Sequence, residues 1–301
     1  MNRRVRPIRI GTLSPPVFLD VAIGLGETAE AGLEVETVSG PSSADQFAAL
    51  LRGELDAVIT SADNVVTYRC VPGNPLGMTA DVRIAAAIDR GLGLSLFAAP
   101  GIRAAEDLNG GVLGVDVPVS GFAFTAYELL ARLGLSAGSD LTVEQLGPTP
   151  LRARALAAGT CTATVLNAGS DLRAEEQGCR RLARATALGP YLGAVLASTG
   201  RTIDADDGRL RSLVRILTHT SARLTSGELR EETVRAAVER LGLSVPAARR
   251  YADTLADPDE GLIPQGRVPA AALETLLTLR RRHAPATSCV PDSGLIDDRF
   301  L

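Results

Sequence analysis

The densest set of reactive side chains in this 301-residue sequence is Tyr68-Arg69-Cys70, immediately ahead of Val71-Pro72-Gly73-Asn74-Pro75. A guanidinium at Arg69 can grip an anionic ligand through two parallel hydrogen bonds. Next to that cation, Cys70 would be a thiol of lowered pKa. Cys70, Asp63 and Arg69 are therefore the groups from which an enzyme would draw its chemistry. Each also has a plainer role: Arg69 bridging a surface carboxylate, Cys70 packed beneath the loop, Asp63 capping its own helix. Facing a ligand, Asp63 would instead bind an amine. A second kind of chemistry lies in hydroxyls placed ahead of helical patterns. Ser43 has Gln46 three residues later, the capping-box spacing; Ser61 precedes Asp63 and Asn64; Ser120 opens a pattern that runs to Leu133. Such hydroxyls, with the free N–H groups behind them, seat an anionic oxygen or simply cap structural helices. Phe122 is placed to stack on a ligand, whereas Phe124 is expected in the core.

Several chemistries are excluded by what is missing. The sequence has no lysine, so all 31 basic residues are arginine. Schiff-base catalysis and a phosphate-binding GK[ST] loop are ruled out. With His219 and His283 as its two histidines, the chain cannot build a three-histidine metal centre, and neither a metal nor a cofactor is expected. His219 lies within a helical pattern as a structural residue, and His283 reads as a cation at a helix end. Gly24-x-Gly26 lacks the third glycine of a dinucleotide fingerprint. Asp204, Asp206 and Asp207 lack the later ligands of a calcium loop and read as a solvated helix start. The four cysteines, Cys70, Cys161, Cys179 and Cys289, contain no CxxC pair and read as reduced, packed thiols. A net charge of −4 argues against nucleic acid as a partner.

The elements that must hold these residues alternate. Strand patterns fall at 8–13, 33–38, 57–60, 84–88, 94–98, 112–115, 141–146, 163–166 and 193–197. Helix patterns fall between several of them, at 18–31, 43–52, 120–133 and 151–158. Strand, helix, strand in repetition predicts an α/β fold with largely parallel sheets. After about residue 203 the pattern turns helical, over 209–225, 228–241, 246–256 and 269–282. The Pro-, Ser- and Asp-rich tail from Ala284 is expected to wrap the surface. No run of about 18 uncharged apolar residues occurs, so no membrane span is predicted. Arg3, Arg4 and Arg6 lead directly into Ile8-Arg9-Ile10 without the apolar stretch of a secretory leader. As given, this places the protein in the cytoplasm, or outside it if the true start lies upstream.

The order of motifs resembles the type 2 periplasmic binding-protein superfamily. Within it, the likeness is to the nitrate, sulfonate, taurine and thiamine-precursor group of ABC-transporter solute-binding proteins. The carrying residues are Ile8-Arg9-Ile10-Gly11, Ala31-Gly32-Leu33-Glu34-Val35, Gly40-Pro41-Ser42-Ser43-Ala44-Asp45, Leu51-Arg52-Gly53-Glu54-Leu55-Asp56-Ala57 and Ser61-Ala62-Asp63. They continue with Asp107-Leu108-Asn109-Gly110, Leu156-Ala157-Ala158-Gly159, Gly261-Leu262-Ile263-Pro264 and the closing Leu295-Ile296-Asp297-Asp298-Arg299-Phe300-Leu301. The resemblance implies two lobes, each a mixed, mostly parallel sheet flanked by helices, with extra C-terminal helices. Residues 1–97 with 194–301 would form one lobe and 98–193 the other, closing about hinge strands near 94–98 and 193–197.

In such a fold, ligands sit outside the carboxyl ends of the strands, between the lobes. That selects Ser14, Pro15, Ser42, Ser43, Ser61, Asp63, Asn64, Arg69, Ser120, Gly121, Phe122 and Asn167 as binding residues. The implied function is reversible binding of a small organic ligand, anionic or heteroaromatic, with an ABC permease as partner if the protein is exported. The alternative is a cytoplasmic biosynthetic enzyme on the same fold, as the thiamine pyrimidine synthases, menaquinone-pathway enzymes and an aromatic desulfinase are. The absent lysine argues against the first of these, whose cofactor is lysine-bound. Leu13-Ser14-Pro15-Pro16, lacking a cysteine after the first strand, argues against the last. A third reading is a cytosolic ligand sensor.

Overall fold

A computed structural model of the chain describes residues 6–287 and 289–301; Arg3 and Arg4 of the basic start lie outside the described residues. The chain runs β1 (Ile8–Thr12), α1 (Val17–Gly24), α2 (Glu27–Glu30), β2 (Val35–Ser39), α3 (Ser43–Leu51), β3 (Ala57–Ser61), α4 (Ala62–Cys70) and β4 (Val82–Ala87). It then enters a second series: β5 (Ser95–Ala98), β6 (Gly111–Val115), α5 (Gly121–Arg132), β7 (Leu141–Gln145), α6 (Thr149–Ala157), β8 (Ala163–Leu166), α7 (Ser170–Glu176) and β9 (Arg180–Arg184). The return is β10 (Ala194–Thr199), followed by α8 (Gly200–Asp204), α9 (Arg209–Thr225), α10 (Arg230–Leu241), α11 (Val245–Ala256) and α12 (Ala270–His283).

These strands make two five-stranded sheets, ordered β2-β1-β3-β10-β4 and β7-β6-β8-β5-β9. The mixed, mostly parallel α/β architecture is therefore the one the sequence predicts. In each sheet the fourth strand is the antiparallel one, β10 against β3 and β4, and β5 against β8 and β9. Both are the strands by which the chain crosses between sheets, at 88–94 and 185–193.

Each sheet is covered on both faces. On the first, Ile10 and Leu196 meet Leu19 of α1, Leu213 of α9 and Tyr251 of α11 on one side. On the other side Val58 and Val195 meet Phe47 of α3, Val65 of α4 and Leu276 of α12. The second sheet buries Leu113 and Val165 against Phe124 and Leu129 of α5, and Phe97 against Leu156 of α6. Each fully buried Leu or Phe of this kind contributes roughly 1.5–3 kcal/mol. Helix α12 belongs to both halves: Leu276 packs under the first sheet while Leu279 joins the core of the second.

Several elements depart from the sequence reading. The predicted helix at 18–31 is two, because Gly26 takes φ 81° and starts a new turn as the N-cap of α2. Strand β9, Arg-Arg-Leu-Ala-Arg, has no apolar alternation to mark it in the sequence; as an edge strand it tolerates a charged face. Helices α4, α7 and α8 are short and carry too few apolar positions to show a period. The tail does wrap the surface: Asp297 N–H donates to Ile84 O at 2.9 Å along the edge of the first sheet, and Phe300 is buried.

Candidate functional site

Between the two sheets lies a cavity of about 210 Å³. Its walls are the segments after the carboxyl ends of the parallel strands: Leu13–Pro16 after β1, Pro41–Ser43 after β2, and Ser61 with Asn64 after β3. From the second sheet come Asp116 and Val117 after β6, Gln145 and Gly147 after β7, and Asn167 with Ala168 after β8. This is where a sheet with parallel strands leaves room for a ligand. Phe18, Leu92 and Phe122 supply apolar surface, and Asp89, Gly193 and Ala194 bring the crossovers to the wall.

Helix starts converge here. Ser42 Oγ accepts from the Asp45 N–H at 3.1 Å and caps α3, and Ser61 Oγ accepts from the Asn64 N–H at 3.4 Å and caps α4. Pro16 and Pro148, the N-caps of α1 and α6, also line the cavity and leave the first N–H groups of those helices without a side-chain cap. Four helix starts thus line one space, where their dipoles favour acceptor oxygens, although Val17 N–H of α1 already donates to Pro15 O and Ala62 N–H of α4 to Gly193 O. Ser43 does not form the expected capping box. It is the first helical residue, its Oγ pairs with Tyr68 Oη at 3.2 Å, and Gln46 Nε2 donates to Ile59 O instead.

Four charged or phenolic groups found in the wall were not anticipated from the sequence. Asp89, 3% exposed, accepts at Oδ1 from the N–H of Gly91 at 2.8 Å and of Ala194 at 3.0 Å, tying one crossover to the other. Burial raises its pKa to about 6 against those two hydrogen bonds. Asp116 accepts from Ser120 Oγ, and burial raises its pKa too, opposed by the charge of Arg152. Arg152 is 1% exposed; it donates to Gly147 O at 3.1 Å, Thr164 Oγ1 at 3.0 Å, Thr149 Oγ1 at 2.9 Å and Val165 O. Its guanidinium stands over the Phe122 ring at 5.8 Å. Tyr251, on α11, is 2% exposed, and burial raises its hydroxyl pKa. Asp89 and Asp116 each follow an apolar strand directly, Ile84–Ile88 and Leu113–Val115, and a carboxylate in that place was a readable signal.

The backbone is strained at the same wall. Leu92 and Ala168 hold φ of 48° and 51°, a left-handed conformation that side chains other than glycine adopt rarely. They are bonded to one another, Ala168 N–H to Leu92 O at 2.9 Å, and both line the cavity.

Of the residues selected from sequence, the structure brings Ser14, Pro15, Ser42, Ser43, Ser61, Asn64, Phe122 and Asn167 together at this cavity. The others are elsewhere. Asp63 neither caps nor reaches the cavity: it forms a bidentate pair with Arg280, at 2.9 and 2.8 Å, with the two side chains 1% and 2% exposed. Gly121 lets α5 approach that pair, since a Cβ there would come within 2.7 Å of Asp63 Cβ. Ser120 stands behind Asp116 and caps α5 through the Ala123 N–H at 3.1 Å. Arg69 lies at the outer edge of the first sheet, in a depression of about 760 Å³ that it shares with Arg83 and Asp297. There it donates to Asp81, Asp292 and Val82 O, so its plainer role is the real one. Beside it the Cys70 thiol is pushed up to about 12 by burial and by Cys289, the opposite of activation. That larger depression is polar and shallow, with its arginines already paired, and the cavity between the sheets is the better candidate.

His283 pairs with Glu128 at 3.1 Å, away from the cavity. Among the described residues no group of three His, Cys, Asp or Glu side chains is placed to hold a metal ion, and no helix is long and apolar enough to cross a membrane.

The sequence matches no family model and no curated relative. Solved structures do match. A ligand-binding component of an ABC-type import system from Staphylococcus aureus superposes with a TM-score of 0.78 at 14% identity, over 98% of each chain. The alkanesulfonate-binding protein SsuA from Xanthomonas axonopodis pv. citri gives 0.75 at 18%, over 98% of this chain and 99% of its own. The nitrate-binding protein NrtA from Synechocystis gives 0.71 at 13%, over 98% and 92%. The chain therefore has the periplasmic-binding-protein fold, and the group whose structures it matches is the one its motif order resembles.

Proposed function

We propose that the protein is a solute-binding protein, which takes a small organic ligand reversibly between its sheets and delivers it to the permease of an ABC-type importer outside the cytoplasm. The observation that carries this reading is the convergence of strand ends, four helix starts and apolar side chains on one cavity of about 210 Å³. A planar ring fits against Phe122, and acceptor oxygens fit the positive ends of the α1, α3, α4 and α6 dipoles. Solved structures of similar fold support the same reading: one is a ligand-binding component of an ABC-type import system, and two others are an alkanesulfonate-binding and a nitrate-binding protein.

In this reading residues 1–97 with 194–301 form one lobe and 98–193 the other, in outline, with β5 counting with the second. The crossovers at 88–94 and 185–193 are the hinge, and the cavity opens and closes about them. The enzymatic alternative drew on Cys70, Asp63 and Arg69, none of which lines the cavity.

The test is calorimetry and thermal shift with a panel of sulfonates, carboxylates, pyrimidines and amines. A cognate ligand at a hundred times its Kd stabilises the protein by about 2.7 kcal/mol. Ser14→Trp, which fills the cavity from its rim, should abolish that stabilisation. Silence across the panel, or binding that survives Ser14→Trp, overturns the proposal.

A further inference from the structure

We infer that the cavity selects a ligand carrying a protonated nitrogen, which Asp89 and Tyr251 hold beside the crossovers. The inference rests on the reading of the cavity as a ligand site and names the chemistry that site accepts.

Asp89 is the first support. The residue lines the cavity; its Oδ1 is fixed by two backbone N–H groups, whereas Oδ2 has no hydrogen-bond partner among the described residues. It belongs to no ion pair among the described residues; its neighbour Arg90 acts on it by charge without a hydrogen bond, its guanidinium donating to Leu262 O at 2.5 Å. A carboxylate 3% exposed, with one oxygen unanswered, is stabilised by a cation brought to it. Tyr251 lines the same cavity at 2% exposure, and its hydroxyl also has no hydrogen-bond partner among the described residues. A phenol oxygen accepts from an ammonium or amidinium as readily as it donates.

The cationic side of the wall is already occupied. A guanidinium has five N–H donors, and four of those on Arg152 go to Gly147, Thr149, Thr164 and Val165. It has one donor left and cannot take an anion in a fork. Two carboxylates, Asp89 and Asp116, stand against that single arginine in the wall. The helix starts still favour an acceptor oxygen elsewhere on the ligand, so a dipolar molecule satisfies every group.

The test uses three probes of one size on the full chain: benzylammonium, benzyl alcohol and benzenesulfonate, titrated by calorimetry at pH 7.5. Benzylammonium should bind tightest, and Asp89→Asn should weaken it roughly tenfold to a hundredfold, the worth of a buried hydrogen bond to a charged group. An asparagine keeps the oxygen that accepts from Gly91 and Ala194, so the fold is retained. Tyr251→Phe, which removes only a hydroxyl, should weaken benzylammonium several-fold and leave the melting temperature within a few degrees of wild type. Benzenesulfonate binding that matches or exceeds benzylammonium, or an Asp89→Asn variant that binds benzylammonium unchanged, overturns the inference while leaving the cavity a binding site. If none of the three binds and the wider panel is silent too, the cavity reading fails and takes the inference with it; a panel ligand that binds without a protonated nitrogen overturns the inference alone.

Discussion

Asp63→Asn is the sharpest probe of how this molecule is held together. In the native chain Arg280 donates two hydrogen bonds to the Asp63 carboxylate, at 2.9 and 2.8 Å, and also donates to Thr67. The guanidinium then stands 5.5 Å from the centre of the Phe124 ring, on α5 of the second sheet. With the two side chains 1% and 2% exposed, water cannot replace either partner. An amide in place of the carboxylate removes the countercharge and turns an NH₂ group toward N–H donors. Breaking a buried pair in this way costs about 3–5 kcal/mol. At roughly 2–4 °C per kcal/mol for chains of 150–250 residues, and somewhat less for a longer one, the melting temperature should fall by about 6–15 °C. Thermal melts followed by circular dichroism read this directly. The control is Asp63→Leu with Arg280→Met, which removes both charges and leaves apolar volume; it should recover most of the loss. A single variant within about 1 kcal/mol of wild type, or a double variant as unstable as the two single losses added, refutes the account of a desolvated, mutually dependent pair.

Asp89 gives a pH signature. Its folded pKa of about 6 lies above its ordinary value of 3.8, so its protonated form is favoured by folding. The resulting stabilisation is complete below about pH 4 and disappears as pH rises to about 6. Urea unfolding should therefore show wild type losing about 3 kcal/mol relative to Asp89→Asn between pH 4 and pH 7; a difference that does not change with pH contradicts it. Gly193→Ala should misplace the second crossover, because a Cβ there would meet Asp89 Oδ1 at 2.1 Å and Gly91 N at 2.6 Å, a backbone clash that no rotamer relieves. We expect a loss of more than about 2 kcal/mol in the same unfolding assay, and a neutral result contradicts the close approach. Cys70, its thiol pushed up to about 12, should alkylate with iodoacetamide at pH 8 far more slowly than free cysteine; mass spectrometry of the labelled site decides it.

The fold was legible because its elements carry their own periods. The first helix of the C-terminal set runs from Arg209 to Thr225, as its apolar spacing indicates, and the strand patterns fall where ladders form. The site was half legible, because the rule that ligands meet strand ends needs no knowledge of side-chain partners. It led to Ser14, Ser42, Ser61 and Asn167, which line the cavity. It could not foresee partners distant in sequence: Arg280 claims Asp63 across 217 residues, and Asp292 claims Arg69 across 223. Local sequence shows a charge but not what neutralises it. The reverse failure is Tyr251, which reads as an ordinary buried position of an amphipathic helix. Only the packing of α11 onto the first sheet brings it to the cavity.

The exchange of strands between the sheets also governs how the chain is built. The second sheet is complete within residues 95–184, so it can form on the ribosome before the first sheet is finished. The first cannot close until β10 emerges, because β3 and β4 meet only through it. Pairing Ala194 with Ser61 closes a loop of roughly 130 residues, a slow step in any chain. Until then α3 and α4 have no finished sheet to cover, and Val58, Val65 and Phe47 stay open to other chains. A nascent chain stalled before residue 194 would therefore hold one half with its sheet complete, awaiting only α12, and one adhesive half, the state in which a chaperone has most to do.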